Sequence, residues 1–252
     1  MHSLIPLFRP ASIAVIGASE VPGKAAERRT RSLIQGGFPG KVFLINPARD
    51  TLFGRKAYPS ILDIGEEVDL VMIVVAPKLI PQAVADSVKM RAKGIVIITA
   101  GLGETGPEGR RVEAEILRIA REGGARIIGP NCSGLFSAAG RMNLLGVPPI
   151  RKGPLAVVAQ SGNIIDSITH YADMRGVGLS HVISAGNAIG VRFDEYVDYL
   201  GQDEDTRAIL MYMEGIRDGD RLVQVARQVS KHKPVIILKV GRSGAGARAA
   251  AS

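Results

Sequence analysis

Short apolar runs bounded by turn residues recur along the chain: SIAVIG (12–17), KVFLIN (41–46), DLVMIVV (69–75), GIVIITA (94–100) and ARIIG (125–129). They are rich in Val and Ile and continuously apolar, the pattern of strands buried on both faces. Stretches with helical spacing separate them. IPQAVADSVKMRAKG (80–94) and GPEGRRVEAEILRIAREGG (106–124) are the clearest, and each closes on glycine with basic residues near its end, as helix C-termini prefer. Strands alternating with helices predict a parallel, doubly wound sheet.

The pattern breaks at NLLGVPPIRKGP (143–154), a Pro- and Gly-rich stretch that reads as a linker. It then resumes with LAVVAQSG, LSHVISAGN, AILMYMEG and PVIILKVG as further buried strands. FDEYVDYLGQD and DGDRLVQVARQVSKHK read as helices, the second with Asp at its start and Lys at its end to match the helix dipole. The expected architecture is two α/β domains, 1–147 and 148–252. The second reads as truncated, because the sequence ends one small-residue loop, GRSGAGARAAAS, after its fourth strand.

Composition narrows the class. Of 252 residues, 46% are hydrophobic but only 4% aromatic, with no Trp, so the core must be aliphatic. The net charge of +8 favours anionic partners. Basic residues are dispersed, the densest group being Arg28, Arg29 and Arg31, and no aromatic residues are interleaved with them. That favours a small polyanion over nucleic acid, with a merely solvated basic surface as the alternative. One cysteine, Cys132, excludes an internal disulfide and fits a reducing cytoplasm. No apolar run reaches membrane-spanning length, the start lacks a signal-peptide pattern, and the four histidines show no metal-ligand spacing. The expectation is a cytoplasmic protein with no metal of its own.

The turn after the first strand, GASEVPGK (17–24), carries candidate chemistry: small residues there let backbone N–H groups approach a phosphate at a helix N-terminus. It is neither familiar phosphate motif. G-x-G-x-x-G would need glycine where Ser19 and Pro22 stand, and the NTPase loop would need glycine at Ala18 and Ser or Thr at Ala25. The second strand ends in Asn46-Pro47 rather than an acid, which disfavours a nicotinamide dinucleotide. A plain tight turn is the bland alternative.

Taken in order, SIAVIGAS…PGK, NP, AYPSI, DLVMIVVAP, ITAG…E…G-x-E-G, GPNCSG, AQSGN, SAGN and YMEGI resemble the CoA-binding half of nucleoside-diphosphate-forming acyl-CoA synthetases. The chain is also similar to the α-subunit of succinyl-CoA synthetase, from about Pro10 to its end. The resemblance implies a Rossmann-like CoA-binding domain followed by a flavodoxin-like one. It implies acid, CoA and nucleoside triphosphate giving acyl-CoA, nucleoside diphosphate and phosphate, by way of an acyl phosphate and a phosphohistidine. ATP or ADP and Mg would be held by an ATP-grasp domain or subunit outside this chain, and the assembly would be oligomeric.

Carried over residue by residue, Gly17, Ala18, Ser19, Gly23 and Lys24 would hold the CoA phosphates, with Asn46 and Pro47 flanking the adenosine. Val75, Ala76 and Pro77 would line the crevice, and Thr99, Ala100 and Gly101 the pantetheine. Asn131 and Asn187 would face the acyl group. Ser161, Gly162 and Asn163 would hold a phosphoryl group at a helix N-terminus, an ordinary helix cap being the alternative. Glu214 would orient the phosphorylated histidine, or else be a solvated or salt-bridged glutamate. Ala48 stands where such proteins often have lysine, and Asn163 where alanine is usual. Cys132 reads as a small buried thiol rather than a nucleophile, and the Arg28–Arg31 group as a solvated helix face.

The resemblance places the phosphorylated histidine directly after Ser252, and none of the four histidines present carries over to it. The expectation is a fragment, inactive alone, of a longer protein. The competing readings are a CoA- or acyl-CoA-sensing module of a protein acetyltransferase and, less well supported, an NAD-binding domain.

Overall fold

A computed structural model describes residues 2–241. The chain opens with a short helix α1 (Ile5–Phe8) and then alternates: β1 (Ser12–Ile16), α2 (Ala25–Gln35), β2 (Lys41–Ile45), a hairpin of β3 (Thr51–Leu52) and β4 (Arg55–Tyr58), β5 (Leu70–Ile73), α3 (Ile80–Lys89), β6 (Gly94–Ile97), α4 (Pro107–Glu122) and β7 (Arg126–Ile128). These strands form one sheet in the order β3-β4-β2-β1-β5-β6-β7, parallel except for β3 against β4. Strand order reverses beside β1, so its carboxyl end opens a crevice against β5.

The second half contributes β8 (Leu135–Ser137), β9 (Met142–Asn143), β10 (Lys152–Ala159), α5 (Gly162–Met174), β11 (Leu179–Ser184), α6 (Phe193–Gln202), β12 (Ala208–Met213), α7 (Gly219–Val229) and β13 (Val235–Lys239). They form a sheet ordered β13-β12-β10-β11-β8-β9, in which β8 runs antiparallel to β11. Here the order reverses between β10 and β12. Sheet membership changes at 129–134, ahead of the expected division at 147/148. The Pro-rich linker therefore joins two strands of one sheet.

Alternate residues of each strand enter different cores, as a period of two requires. Ala14, Val71, Ile73 and Ile95 pack against α3 and α4, whereas Ile13, Val15, Met72 and Val96 share a core with α1 and α2. That second core continues into the other sheet through α6 and α7, and Phe8 stacks on Tyr199 with ring centroids 4.6 Å apart. α5 covers the opposite face of the second sheet. The two halves thus share one hydrophobic core.

Three expectations change. α3 ends at Lys89 and turns through Arg91 at φ 60°, while Gly94, expected to close the helix, opens β6. β13, expected to be buried, is an edge strand with Ile236 and Leu238 each 57% exposed. The short strands β8 and β9 have no counterpart in the apolar runs. No helix among the described residues is long and apolar enough to cross a membrane.

Candidate functional site

The turn after β1 is built by close approach. Gly17 sits at φ +87°, and a Cβ there would stand 2.3 Å from the Val74 carbonyl oxygen. Only glycine fits. Its N–H and that of Ala18 donate to the Ile45 carbonyl, and the Ala18 side chain belongs to the core. Asn46 brackets the turn: its Nδ2 donates to the Ala18 carbonyl at 2.8 Å, and its Oδ1 accepts from Ala48 N–H at 2.8 Å. The asparagine at the end of β2 is thereby spent on holding the loop. N–H groups of Ser19, Gly23, Ala25 and Ala26 have no partner among the described residues, and Lys24 caps α2 with no side-chain bond. Ala25 and Ala26 were missed by motif reasoning, which stopped at the lysine.

A cavity of about 220 Å³ lies at the carboxyl ends of these strands, lined by Gly17, Ile45, Pro47, Val75 and Leu79 among others. Ala76 and Pro77 are exposed beyond it. Thr99 Oγ1 donates to the Val75 carbonyl at 2.7 Å, and the Cβ position of Gly101 falls 3.2 Å from Pro77 Cγ. The segments 75–77 and 99–101 are therefore adjacent, with Ala100 exposed between its neighbours.

The two sheets meet at their carboxyl ends. Asn131 N–H donates to the Thr99 carbonyl, and Asn131 Nδ2 donates to Asn187 Oδ1 at 3.3 Å. Asn187 Nδ2 in turn donates to Glu104 Oε2 at 2.7 Å and Glu113 Oε1 at 2.6 Å. Glu104 also accepts from Gly101 N–H. Burial works against its charge, but these donors prevail and hold its pKa below the usual carboxylate value. Glu104 and Glu113 carry no role in the sequence reading; their partner Asn187 lies 83 and 74 residues away, and no local pattern announces such a contact.

At the second sheet's reversal point, α5 begins without a cap. Ser161 is its N-cap residue but makes no side-chain cap bond, and no acid sits in the first turn. N–H groups of Ser161, Gly162, Asn163 and Ile164 have no partner among the described residues. Gln160 Oε1 accepts from Glu214 N–H at 2.6 Å and Gly215 N–H at 2.9 Å, tying the end of β12 to the start of α5. Gln160 is named within AQSGN in the sequence but given no role there; the structure gives it this bracing one. Glu214 is half-buried, and burial raises its pKa, with the Tyr212 side chain opposing in part. A cavity of about 270 Å³ lined by Gln160, Asn187, Arg192, Phe193, Gly215 and Arg217 adjoins this point.

Cys132 is buried, with Sγ 3.2 Å from the Ile97 carbonyl, and burial pushes its pKa up to about 12. It stays a neutral thiol. The arginine group divides: Arg28 and Arg31 are exposed, Arg31 pairing with Glu27 at 2.6 Å, but Arg29 is only 7% exposed. Its expected place on a solvated helix face is corrected, because α2 turns it toward the 132–134 segment. There Nε donates to the Ser133 carbonyl.

Known proteins match this arrangement throughout. The "CoA binding domain" family matches residues 11–138, and the "Succinyl-CoA ligase like flavodoxin domain" family matches 152–252. The α-subunit of acetate–CoA ligase (ADP-forming) I from Pyrococcus furiosus is 41% identical over 99% of this chain and 55% of its own. The 4-hydroxybutyrate–CoA ligase (ADP-forming) of Nitrosopumilus maritimus is 38% identical over 98% of this chain and 36% of its own. The structure of the dinucleotide-forming acetyl-coenzyme A synthetase 1 of Ca. Korarchaeum cryptofilum, solved with phosphate and ADP, superposes with a TM-score of 0.94 at 37% identity. The match covers 100% of this chain and 54% of that one. The chain spans about half the length of the α-subunits it matches. It belongs to the CoA-binding-domain family and is built as the α-subunit part of ADP-forming acyl-CoA synthetases is, with a succinyl-CoA ligase-like flavodoxin domain following the CoA-binding one.

Proposed function

We propose that this chain is the CoA-binding and phosphoryl-holding part of an ADP-forming acyl-CoA synthetase that works in the cytoplasm. An ATP-grasp domain or subunit, within an oligomeric assembly, would supply the ATP, ADP and Mg site. The whole enzyme would convert a carboxylic acid, CoA and ATP into acyl-CoA, ADP and phosphate, or run the reverse. The observation that carries this reading is the meeting of the two carboxyl sheet ends at Asn131 and Asn187. A thiol reaching past Thr99–Gly101 and a phosphoryl group on α5 would then share one acyl group between them.

In this reading the turn from Gly17 to Lys24 holds the CoA phosphates: Gly17 and Ala18 shape it, Lys24 adds its charge, and the N–H groups of Ser19, Gly23, Ala25 and Ala26 donate with the helix dipole behind them. The apolar cavity beside Pro47 and Val75 takes the adenine, and Ala76, Pro77, Thr99, Ala100 and Gly101 guide the pantetheine. Ser161, Gly162 and Asn163 donate N–H groups to the phosphoryl oxygens, where charge concentrates during transfer. Glu214, fixed by Gln160 through its own backbone, accepts a hydrogen bond from an imidazole N–H of the transferring histidine and so fixes its tautomer. Asn131 and Asn187 donate to the acyl oxygen, Asn187 releasing one of its carboxylate partners to do so.

Calorimetric titration with CoA, run beside NAD, tests the first half of this. Heat at one CoA per chain and none with NAD is the expected result. Binding of NAD instead would overturn the reading. Joining the chain to its ATP-grasp partner tests the second half: acyl-CoA-dependent ATP formation is expected, whereas activity regulated by CoA without any nucleotide would favour the acetyltransferase-sensor alternative.

A further inference from the structure

The seam between the two halves encloses a cavity that the proposed reaction does not use. Segment 189–191 lies along the edge of β7: Ile189 N–H donates to the Gly129 carbonyl at 3.2 Å, and Val191 N–H to the Ile127 carbonyl at 3.0 Å. Gly190 permits the approach, since a Cβ there would stand 2.4 Å from the Ile127 carbonyl oxygen. Beside this seam is a space of about 360 Å³, larger than either cavity described above. Its apolar lining comes from Leu117, Ala125, Ile127 and Ile189. Its charged lining is four arginines, Arg121, Arg126, Arg192 and Arg217, against one carboxylate, Glu195.

The four guanidiniums differ in what they already hold. Arg192 gives Nε and Nη2 to Asp194 at 2.8 and 2.6 Å, and Asp194 also accepts from Arg221 at 2.9 Å. Arg126 pairs with Glu195, whose other oxygen accepts from Arg192 N–H at 2.9 Å. These bonds fix that wall and engage both oxygens of the one lining carboxylate. Arg217 uses only Nη1, donating to the neutral Ile189 carbonyl at 3.2 Å. Arg121 is exposed and makes no side-chain bond among the described residues; Glu122 beside it is taken by Arg118. The two arginines with open donors therefore come from opposite halves of the chain, α4 and the loop after β12, and line one cavity.

The lining also selects the kind of anion. Glu195 and the carbonyl end of α4, where Arg121 stands in the last turn, both oppose negative charge, which disfavours a polyanion. The apolar residues offer a phosphate nothing, but they suit a hydrocarbon tail. A planar carboxylate matches the guanidinium fork. We propose that this cavity binds an organic monocarboxylate with a short apolar tail, with Arg121 and Arg217 as the donors to its carboxylate. Arg192 and Arg217 also line the cavity beside Gln160, so the two spaces share a wall, but Asn131 is outside the lining of the new one. The inference depends on neither the CoA nor the phosphoryl assignment.

Saturation-transfer NMR on the full chain, titrating sodium hexanoate at constant ionic strength, tests it. Saturable hexanoate binding is expected. Sodium acetate should bind more weakly by about tenfold or more, because it leaves the apolar lining uncovered. Inorganic phosphate should not displace hexanoate. Arg121→Met should weaken hexanoate by about tenfold and leave the Tm unchanged, since the side chain is exposed and holds nothing in the fold. Arg121→Lys should recover part of the affinity, as a charge without the planar fork. Asn131→Ala should bind hexanoate as wild type does. Absence of binding to wild type would overturn the proposal, as would an unchanged Kd in Arg121→Met. Acetate binding as tightly as hexanoate, or displacement by phosphate, would mean that charge alone is read and would overturn it too. Binding lost in Asn131→Ala but kept in Arg121→Met would put the carboxylate at Asn131 and sink the separate site.

Discussion

The turns after β1 and after β10 occupy equivalent places, each at the point where its sheet reverses order, and they are built in opposite ways. The first is eight residues long, from Gly17 to Lys24, and much of its polar backbone is spent internally. Gly17 and Ala18 N–H groups go to Ile45, and the Ala18 carbonyl goes to Asn46. The second is two residues long, Gln160 and Ser161, and leaves four consecutive N–H groups without a partner among the described residues. A long, braced loop suits a large ligand that must be gripped along its length. A short, bare helix end suits a compact dianion that arrives and leaves. Equivalent topology thus gives both sheets an open helix start, and in the proposed function the distribution of backbone hydrogen bonds decides what each would hold.

The first way to break this comparison is to remove the close approach that the long turn needs. Gly17→Ala places a Cβ 2.3 Å from a backbone oxygen in a conformation that only glycine adopts easily, so a loss of about 3 kcal/mol and of CoA binding is expected. Gly23→Ala in the same turn has a similar φ, +83°, but meets nothing within 4 Å. It should cost about 1 kcal/mol and leave CoA binding in place. Denaturant titration with calorimetry on both variants separates a steric requirement from a conformational one. Asn46→Ala comes next. It strips the bracket from the Ala18 carbonyl and Ala48 N–H, which should cost about 1–2 kcal/mol in the same titration and weaken CoA while leaving phosphate binding at α5 unchanged.

The sequence shows the first turn far better than the second, and the reason is locality. β1, β2, β5 and β6 are continuous apolar runs, and the glycine that the Val74 contact demands sits in plain view at position 17. The uncapped start of α5 is also readable, as QSGN with no acid in the first turn. What the sequence hides depends on residues far apart. β8 and β9 contribute only three and two residues each, too few for a period to emerge. The ERRTR stretch of α2 looks uniformly polar, yet helical geometry turns Arg29 inward and leaves Arg28 and Arg31 outside. β13 reads as a core strand because its residues are Val, Ile and Leu, but burial needs a neighbour, and among the described residues it has a strand on one side only. The Asn131–Asn187–Glu104 array joins a strand end, a loop and a turn that share no sequence window.

A smaller perturbation sharpens the comparison at α5. Asn163→Asp puts an acid in a first turn that has none. The carboxylate favours the helix dipole by about 0.3–1 kcal/mol, so the ligand-free protein should melt slightly higher. The same charge repels an incoming dianion, so phosphate affinity should fall at least tenfold while CoA affinity holds. Stability and phosphate binding moving in opposite directions is the signature of an anion site left bare. A parallel loss of both would mean that Asn163 serves only the fold.

The smallest effect is a slope. Glu214 stands beside the bare helix end with its pKa raised by burial, so its folded state holds a proton more tightly than its unfolded state. For a raised carboxyl pKa the associated stability is complete below the unfolded value and is lost as pH climbs through the folded one. The window therefore begins in the ordinary carboxylate range and extends just above it. Glu214→Gln removes the titration without removing the volume. Across that window wild type should lose stability with rising pH relative to the variant, and above it the two should run parallel. The backbone bonds from Glu214 and Gly215 to Gln160 survive the change, so any difference belongs to the carboxyl itself. Added phosphate should steepen the wild-type slope and leave the variant's unchanged, because an anion on α5 makes the ionised glutamate harder to hold. A slope indifferent to phosphate would place Glu214 too far from the helix end to act on anything bound there.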